Sequence, residues 1–385
     1  MKKIGVAILG LGDVGSGTYR ILNERREFYQ KTQNVDIEVV SVLDADRTRA
    51  TNLNVPEEKI ASNIAEVAGN PDVNMVVECI DDTATAKEYA LTALKIGQTV
   101  VTSNKELYAK YSHELERVAT RHYAGLYFEA SCYGGIPVVK TLMGSLQGEK
   151  IYSVMSTVNG SIEDAAYQLS VLASLAFHTK VPYSKVVIED DALLPQADAE
   201  IAKQLGYQVK RLAVGIHTDA GLEVRVQPTL VKATHPIAAL SEGLDAVLVE
   251  GDSSGTVLLA GNSTGALPAA GAIISDILYI ATHSEYKYSP YNNTEEAEKP
   301  FAEDAFSAYY LRFTTEEPGT FAKIISTLRK NHVSTLEALH CKQEGGKTSV
   351  VLITYPTREL ALRSAIEKIQ STLPTTAECV FKAVH

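Results

Sequence analysis

Short apolar runs alternate with amphipathic stretches along the first third of the chain. "KIGVAILG" is a nearly unbroken apolar run, the pattern of a strand covered on both faces. "GSGTYRILNERREFYQ" spaces its apolar residues for a helix, and "DIEVVSVLD", "VNMVVECI" and "QTVVTS" read as later strands. Strands alternating with helices predict βαβ units and a Rossmann-type doubly wound parallel sheet over residues 1–125. Residues 126–262 mix strands ("SVMSTVNG", "LEVRVQPTLV", "AVLVEG") with helices ("EDAAYQLSVLASLAF", "DAEIAKQLG"), the pattern of an α+β substrate or dimerisation domain. An apolar helix over about 263–283 is expected to return to the first domain. The polar, Pro/Asn/Glu-rich stretch Ser284–Pro300 anchors a linker over 284–304. Beyond it, residues 305–385 read β-α-β-β-α-β, a small ferredoxin-like domain. Truncation at the linker is expected to leave a soluble core.

Composition narrows the function. The 385 residues suffice for two or three domains, and 45% hydrophobic with 22% charged residues is ordinary for a soluble globular protein. A net charge of −11 argues against nucleic acid or an anionic membrane surface as partner. No apolar run reaches the length of a membrane span, and the basic-then-apolar start is too short and Gly-interrupted for a signal peptide. Cys79, Cys132, Cys341 and Cys379 lack C-x-x-C spacing, which suggests reduced thiols in the cytoplasm and no zinc site. A hard cation held by oxygens stays open.

Five motifs carry candidate chemistry. "GLGDVG" (Gly10, Gly12, Gly15) sits between a strand and a helix, where backbone N–H groups can approach a pyrophosphate. The second strand ends in "LDADRTRA": Asp44 or Asp46 suits a ribose 2′-hydroxyl, Arg47 or Arg49 a 2′-phosphate, so NAD and NADP both stay open. Lys105, in "TSNKEL", stands just beyond a strand's carboxyl end. It is either a surface lysine opening a helix or a proton-transfer group. "FEASCYGGIP" is either a structural turn or an oxygen-ligand site for a monovalent cation, with Glu129 and turn carbonyls. "GNSTG" before the apolar helix is a weaker anion-site candidate, and "EEPGTFAKI" turns from strand to helix at Pro318-Gly319.

The order GLGxVG, SNK, FEAS-x-x-GGIP, VNG, QPTLV-x-x-x-HP and G-x-x-x-G-A-x-P resembles the homoserine dehydrogenase family over nearly all of Met1–His283. The C-terminal part resembles an ACT domain, a small-molecule sensor that pairs with its counterpart in another subunit. The resemblance implies oxidation of L-homoserine to L-aspartate 4-semialdehyde with NAD or NADP, in the pathway to threonine and methionine. It also implies a cytoplasmic homodimer and an amino-acid effector at the ACT domain. Lys105 matches the family's first catalytic lysine, beside substrate and nicotinamide, and Asp164 its substrate-binding aspartate. Leu11, Asp13 and Val14, within the loop Gly10–Gly15, match cofactor contacts; Thr83, Ser103 and Gly265 align with later ones. Glu129, with the carbonyls of Cys132, Gly134 and Ile136, matches a sodium site.

Three departures stand against that pattern. The family places a long helical insert after its Asn-Gly strand end, and that insert carries a substrate-binding glutamate. Here "VNGS" joins "IEDAAYQL" directly, between Ser161 and Ile162. Gln168 stands where the family has a second catalytic lysine, and an amide neither gives nor takes a proton near neutral pH. Asp81-Asp82 replaces a usual Gly-Gly, tolerable beside a pyrophosphate only if the carboxylates turn away. The expectation is a dehydrogenase of impaired or altered activity; the alternative is a non-catalytic regulatory paralogue that binds nucleotide or an amino acid.

Overall fold

In the computed structural model, strands β1 (Lys2–Leu9), β2 (Val35–Leu43), β3 (Met75–Glu78), β4 (Thr99–Thr102) and β5 (Leu126–Tyr127) form one parallel sheet in the order β2-β1-β3-β4-β5. The structure describes residues 1–189, 194–241, 243–283, 300–302, 304–317, 319–342 and 348–384. The linker residues 284–299 and Pro318 of the Pro-Gly turn lie outside them.

The sheet order explains the apolar pattern. β1 lies between β2 and β3 in the middle of the sheet, where Val6 and Ile8 have no exposed surface. One face is covered by the helix Asp13–Glu24 and by the returning apolar helix Ala266–Thr282, whose Ile273 and Ile277 join Val6, Ile8, Val77 and Val101 in a single core. Strand order reverses direction at β1/β3, which opens a crevice beyond their carboxyl ends.

The chain divides into two compact units: Met1–Val154 with Glu163–Val186 and Gly243–Glu298, and Met155–Ile162 with Val187–Glu242 and Lys299–His385. The first holds the parallel sheet, most of the helix Ile162–Ala176 and an antiparallel hairpin, Asp245–Gly251 with Gly255–Gly261. In the second, Tyr207–Thr218 and Gly221–Lys232 form a long hairpin. Gly221–Lys232 pairs in parallel with the C-terminal strand Thr375–Val384, through Ala383 opposite Leu230. The sheet continues antiparallel through Phe306–Thr315, Thr348–Thr354 and Thr335–Lys342. With the helices Thr320–Lys330 and Glu359–Thr372, these last four strands have ferredoxin-like β-α-β-β-α-β order.

Alternation along Phe306–Thr315 sorts its side chains to two cores. Tyr309, Leu311 and Phe313 meet Ile324, Leu328, Leu362 and Ile369 of the helices. Tyr310 on the opposite face meets Ala202, Tyr207 and Leu230. Below that second face, fully buried Asp198 accepts bonds from Tyr310 Oη at 2.7 Å and from Arg312 Nε and Nη2 at 2.6 and 2.9 Å. The C-terminal strands therefore share a core and a buried ion pair with residues 196–232. Excision at the linker would strip that core, contrary to the expectation of a soluble remainder. Among the described residues, no helix is long and apolar enough to cross a membrane.

Replacing Asp198 by Ala leaves Arg312 buried without its partner. The expected loss is about 3–5 kcal/mol of unfolding free energy in urea titration. A loss under about 1 kcal/mol would show that the pair is dispensable. A chain ending at His283 is expected to aggregate or to melt without cooperativity.

Candidate active site

At the end of β1 the chain turns at Gly10, whose φ of +85° suits glycine. A Cβ on Gly15 would lie 1.9 Å from the Gly10 carbonyl oxygen, so helix and strand approach to a distance only glycine permits. Gly12 by contrast has only Arg49 Nη1, 3.9 Å from where a Cβ would lie, and caps the helix Asp13–Glu24 with no side-chain bond. The first N–H groups of that helix, at Asp13 and Val14, are thus left to a ligand. Leu11 N–H donates to Asp44 Oδ2 at 2.5 Å and ties the loop to the end of β2. A cavity of about 370 Å³ opens over Gly10 and Gly12, walled by Asp44, Arg49, Cys79 and Asp81. Open glycines, free N–H groups and a cavity at the switch point fit a dinucleotide.

Lys105 is set by a chain of bonds that begins inside the sheet. Glu78, the last residue of β3, has no exposed surface. Its Oε1 accepts from Ile80 N–H at 2.6 Å and its Oε2 from Thr102 Oγ1 at 2.5 Å. Thr102 Oγ1 in turn accepts from Asn104 N–H at 3.0 Å. Asn104 Nδ2 donates to the Ile80 carbonyl at 2.9 Å, and its Oδ1 caps Leu107 N–H at 2.8 Å. Lys105 therefore opens the helix Lys105–Arg121 at a fixed angle, and its Nζ reaches Asp164 Oδ2 at 2.9 Å. The two residues singled out for catalysis and substrate binding are thus brought together, both about two-fifths exposed (36% and 42%). Gln168 lies four residues beyond Asp164 on the same helix and is half-buried.

The neighbouring cofactor candidates line the same strand ends. Ser103 N–H donates to the Glu78 carbonyl at 3.1 Å, and Thr83 opens the helix Thr83–Lys95. Asp82 turns away, capping Thr85 through its N–H and hydroxyl at 2.8 and 2.6 Å, whereas Asp81 stays on the cavity wall. Gly265, at φ +111°, caps the helix Ala266–Thr282.

The FEASCYGGIP turn is fastened from behind. Asp276, buried in that same apolar helix, accepts Glu129 N–H at 3.1 Å and pairs with Lys140 Nζ at 2.7 Å. Gly135 packs so closely on the loop before the helix that a Cβ would meet the Asn262 carbonyl oxygen at 1.9 Å. The Glu129 carboxylate accepts from Val139 N–H at 3.0 Å and Lys140 N–H at 2.9 Å. Burial pushes the Cys132 thiol up to about 12, so this cysteine offers no thiolate. Among the described residues, no three His, Cys, Asp or Glu side chains group to hold a metal ion.

Sequence reasoning missed Glu78, Asn104, Asp276 and Lys140. Two left a signal: a lone acid closing the apolar run "NMVVE", and a lone acid inside "AIISDILYIA". A charge in a buried run is retained only where partners await it.

A glycine-rich turn at the switch point of a parallel sheet, with a lysine–carboxylate pair beyond a neighbouring strand, defines a dinucleotide-dependent dehydrogenase fold. The family models "Homoserine dehydrogenase, NAD binding domain" and "Homoserine dehydrogenase" match residues 10–129 and 162–278. The homoserine dehydrogenase of Neisseria gonorrhoeae is 30% identical over 433 aligned positions, covering 100% of this chain and 98% of that protein. That of Bacillus subtilis is 27% identical, over 96% and 95%. The crystal structure of the Thiobacillus denitrificans homoserine dehydrogenase superposes with a TM-score of 0.85 at 27% identity, covering 100% of this chain and 99% of that one. The chain belongs to the homoserine dehydrogenase family. The Neisseria alignment is longer than the 385 residues here, so that relative carries segments without a counterpart in this chain.

Four buried carboxyls, Glu78, Glu116, Glu129 and Asp276, are raised by burial and give the first unit a pH dependence. Burial raises Glu78 and Glu129 to about 7 and Glu116 to about 8, from an ordinary 4.5; Asp276 adds to the effect at Glu129. The folded state then holds protons that the unfolded chain has released, so stability falls as pH rises from about 4.5 to about 8. Each group contributes at most about 1.4 kcal/mol per pH unit. Glu116→Gln retains an acceptor for Tyr108 and removes the titration, and is expected to flatten the slope in urea titrations at pH 5.5 and 8.5. An unchanged slope would exclude Glu116 as a contributor.

Proposed function

We propose that this protein interconverts L-homoserine and L-aspartate 4-semialdehyde with NAD or NADP, at a rate below that of relatives with a complete substrate site. The Lys105–Asp164 pair, held at 2.9 Å beyond the carboxyl end of β4, carries the reading. Asp164 supplies a carboxylate for the substrate ammonium. Lys105 Nζ moves the hydroxyl proton, giving it to the oxygen when the aldehyde is reduced and taking it when the alcohol is oxidised. Bound nicotinamide supplies the hydride acceptor or donor. Gly10–Gly15 hold its pyrophosphate, with Thr83, Ser103 and Gly265 as further contacts.

The junction at Ser161/Ile162 supports the lowered rate, because Asp164 is left as the ammonium's partner without the insert's glutamate. Gln168 at the place of a second lysine supports it too, since an amide carries no transferable proton. Loss of one proton-transfer group costs about 10²–10⁴ in rate. That same residue favours the second reading, a regulatory protein that binds ligand without turnover. Glu129 with the carbonyls of Cys132, Gly134 and Ile136 is an all-oxygen set suited to sodium. The ferredoxin-like order of the C-terminal strands supports an ACT sensor for an amino acid, within a cytoplasmic homodimer.

Steady-state turnover of wild type, Lys105→Ala and Gln168→Lys with homoserine and either cofactor tests this. Wild type is expected to turn over slowly, Lys105→Ala not at all, and Gln168→Lys to recover part of the rate. Turnover by Lys105→Ala equal to wild type would remove Lys105 from the mechanism. Dinucleotide binding with no turnover in any variant would favour the regulatory reading.

A further inference from the structure

We propose that Tyr167 is a positioning residue for the Lys105–Asp164 pair, acting through a cation–aromatic contact with Lys110 that joins the two helices carrying the pair; this rests on the dehydrogenase reading above. Lys105 opens the helix Lys105–Arg121, and Asp164 lies in the first turn of the helix Ile162–Ala176. Both side chains are open to water, and an ion pair so exposed does little to fix its own geometry. The spacing of the pair then depends on what holds the two helices together beside it.

Tyr167 stands one turn beyond Asp164 and is 3% exposed. Lys110, on the lysine helix, places its Nζ 5.2 Å from the Tyr167 ring centroid and 6.0 Å from that of Tyr183, within the reach of cation–π attraction. Tyr183, from the turn Tyr183–Lys185, packs its ring on Tyr167 at 4.3 Å and 35°. Each partner is aimed by a carboxylate of its own helix. Lys110 Nζ donates to Glu106 Oε1, and Tyr167 Oη donates to Glu163 Oε1 at 2.9 Å. The Glu106 carboxylate holds the Lys110 ammonium well above the ordinary lysine range, so the cation persists at neutral pH.

The two aiming carboxylates are the chain neighbours of the pair: Glu106 follows Lys105 and Glu163 precedes Asp164. A shift at the lock thus reaches the pair through one peptide unit on either helix. Farther along, the same helices part around a cavity of about 430 Å³ lined by Lys110, Ser112, Ser170, Ser174 and Tyr183. Lys110 and Tyr167 therefore join them on the side nearer the pair.

The acylation rate of Lys105 by an amine-reactive ester, read by peptide mass spectrometry on the full chain, tests this without turnover. Pairing with Asp164 slows acylation, and Asp164→Asn marks the released rate. Tyr167→Leu is expected to speed acylation of Lys105 by ~3-fold or more, with Lys31 as an unaffected reference. Tyr167→Phe keeps the ring and is expected to stay near wild type. The double variant Glu106→Gln with Lys110→Met removes the cation together with its counter-charge at half-exposed positions, and is expected to release Lys105 as Tyr167→Leu does. In turnover, Tyr167→Leu is expected to lower kcat and raise KM for homoserine, with Tyr167→Phe restoring both. Unchanged acylation of Lys105 in the folded double variant, or release by Tyr167→Phe equal to that by Tyr167→Leu, would overturn the proposal and leave the dehydrogenase reading standing. Release of Lys105 in a protein without turnover would keep the lock and remove the dehydrogenase reading.

Discussion

The Glu78 carboxylate, buried at the end of β3, is the point from which the site is built. It spans β3 and β4 through its bond from Thr102, and it fixes the loops that leave both. Through Ile80 it shapes the turn toward the cofactor cavity, and through Thr102 and Asn104 it sets the first residue of the lysine helix. Burying an acid is costly, as its raised proton affinity shows, and the cost is met by two donors in good geometry. A protonated Glu78 would turn donor toward Thr102, so the bond chain that reaches Asn104 is sensitive to the charge of this one group.

Much of the parallel sheet was legible because burial on both faces leaves unbroken apolar runs, and because glycines at fixed spacing have a steric cause. Gly15 illustrates it: no other residue fits where the helix crosses the Gly10 carbonyl. The ferredoxin-like order was legible from local alternation alone. The sharing of a core between residues 196–232 and the C-terminal strands was not, since Ala383 and Leu230 meet across more than a hundred residues. Asp198 looks like an ordinary acid in a helix until Arg312 and Tyr310 close over it.

Residue identity also leaves roles open where they depend on who occupies a side chain. Asp44, Asp46, Arg47 and Arg49 are equivalent candidates as letters. Their partners separate them: Asp44 and Asp46 are held by main-chain N–H groups, Arg47 by Glu57, and Arg49 lies beside the two aspartates at 3.6 and 3.8 Å. The same accounting clears Asp82, whose carboxylate is drawn to its own helix, and leaves Asp81 on the cavity wall.

In the proposed mechanism a single carboxylate serves two cations. Asp164 holds Lys105 at 2.9 Å before substrate arrives, and the same oxygens are the ones offered to the substrate ammonium. At 4 Å two unit charges interact by about 4 kcal/mol near a protein surface, so an arriving ammonium competes with Lys105 on nearly equal terms. Its binding would loosen the lysine toward the hydroxyl it must serve, which couples substrate recognition to proton transfer. A second carboxylate would relieve this competition and let Asp164 stay with the lysine. Glu163, the adjacent carboxylate on the helix, accepts from Tyr167 Oη at 2.9 Å, so in this mechanism binding and proton transfer draw on Asp164. That constraint would lower the rate even with every remaining group in place.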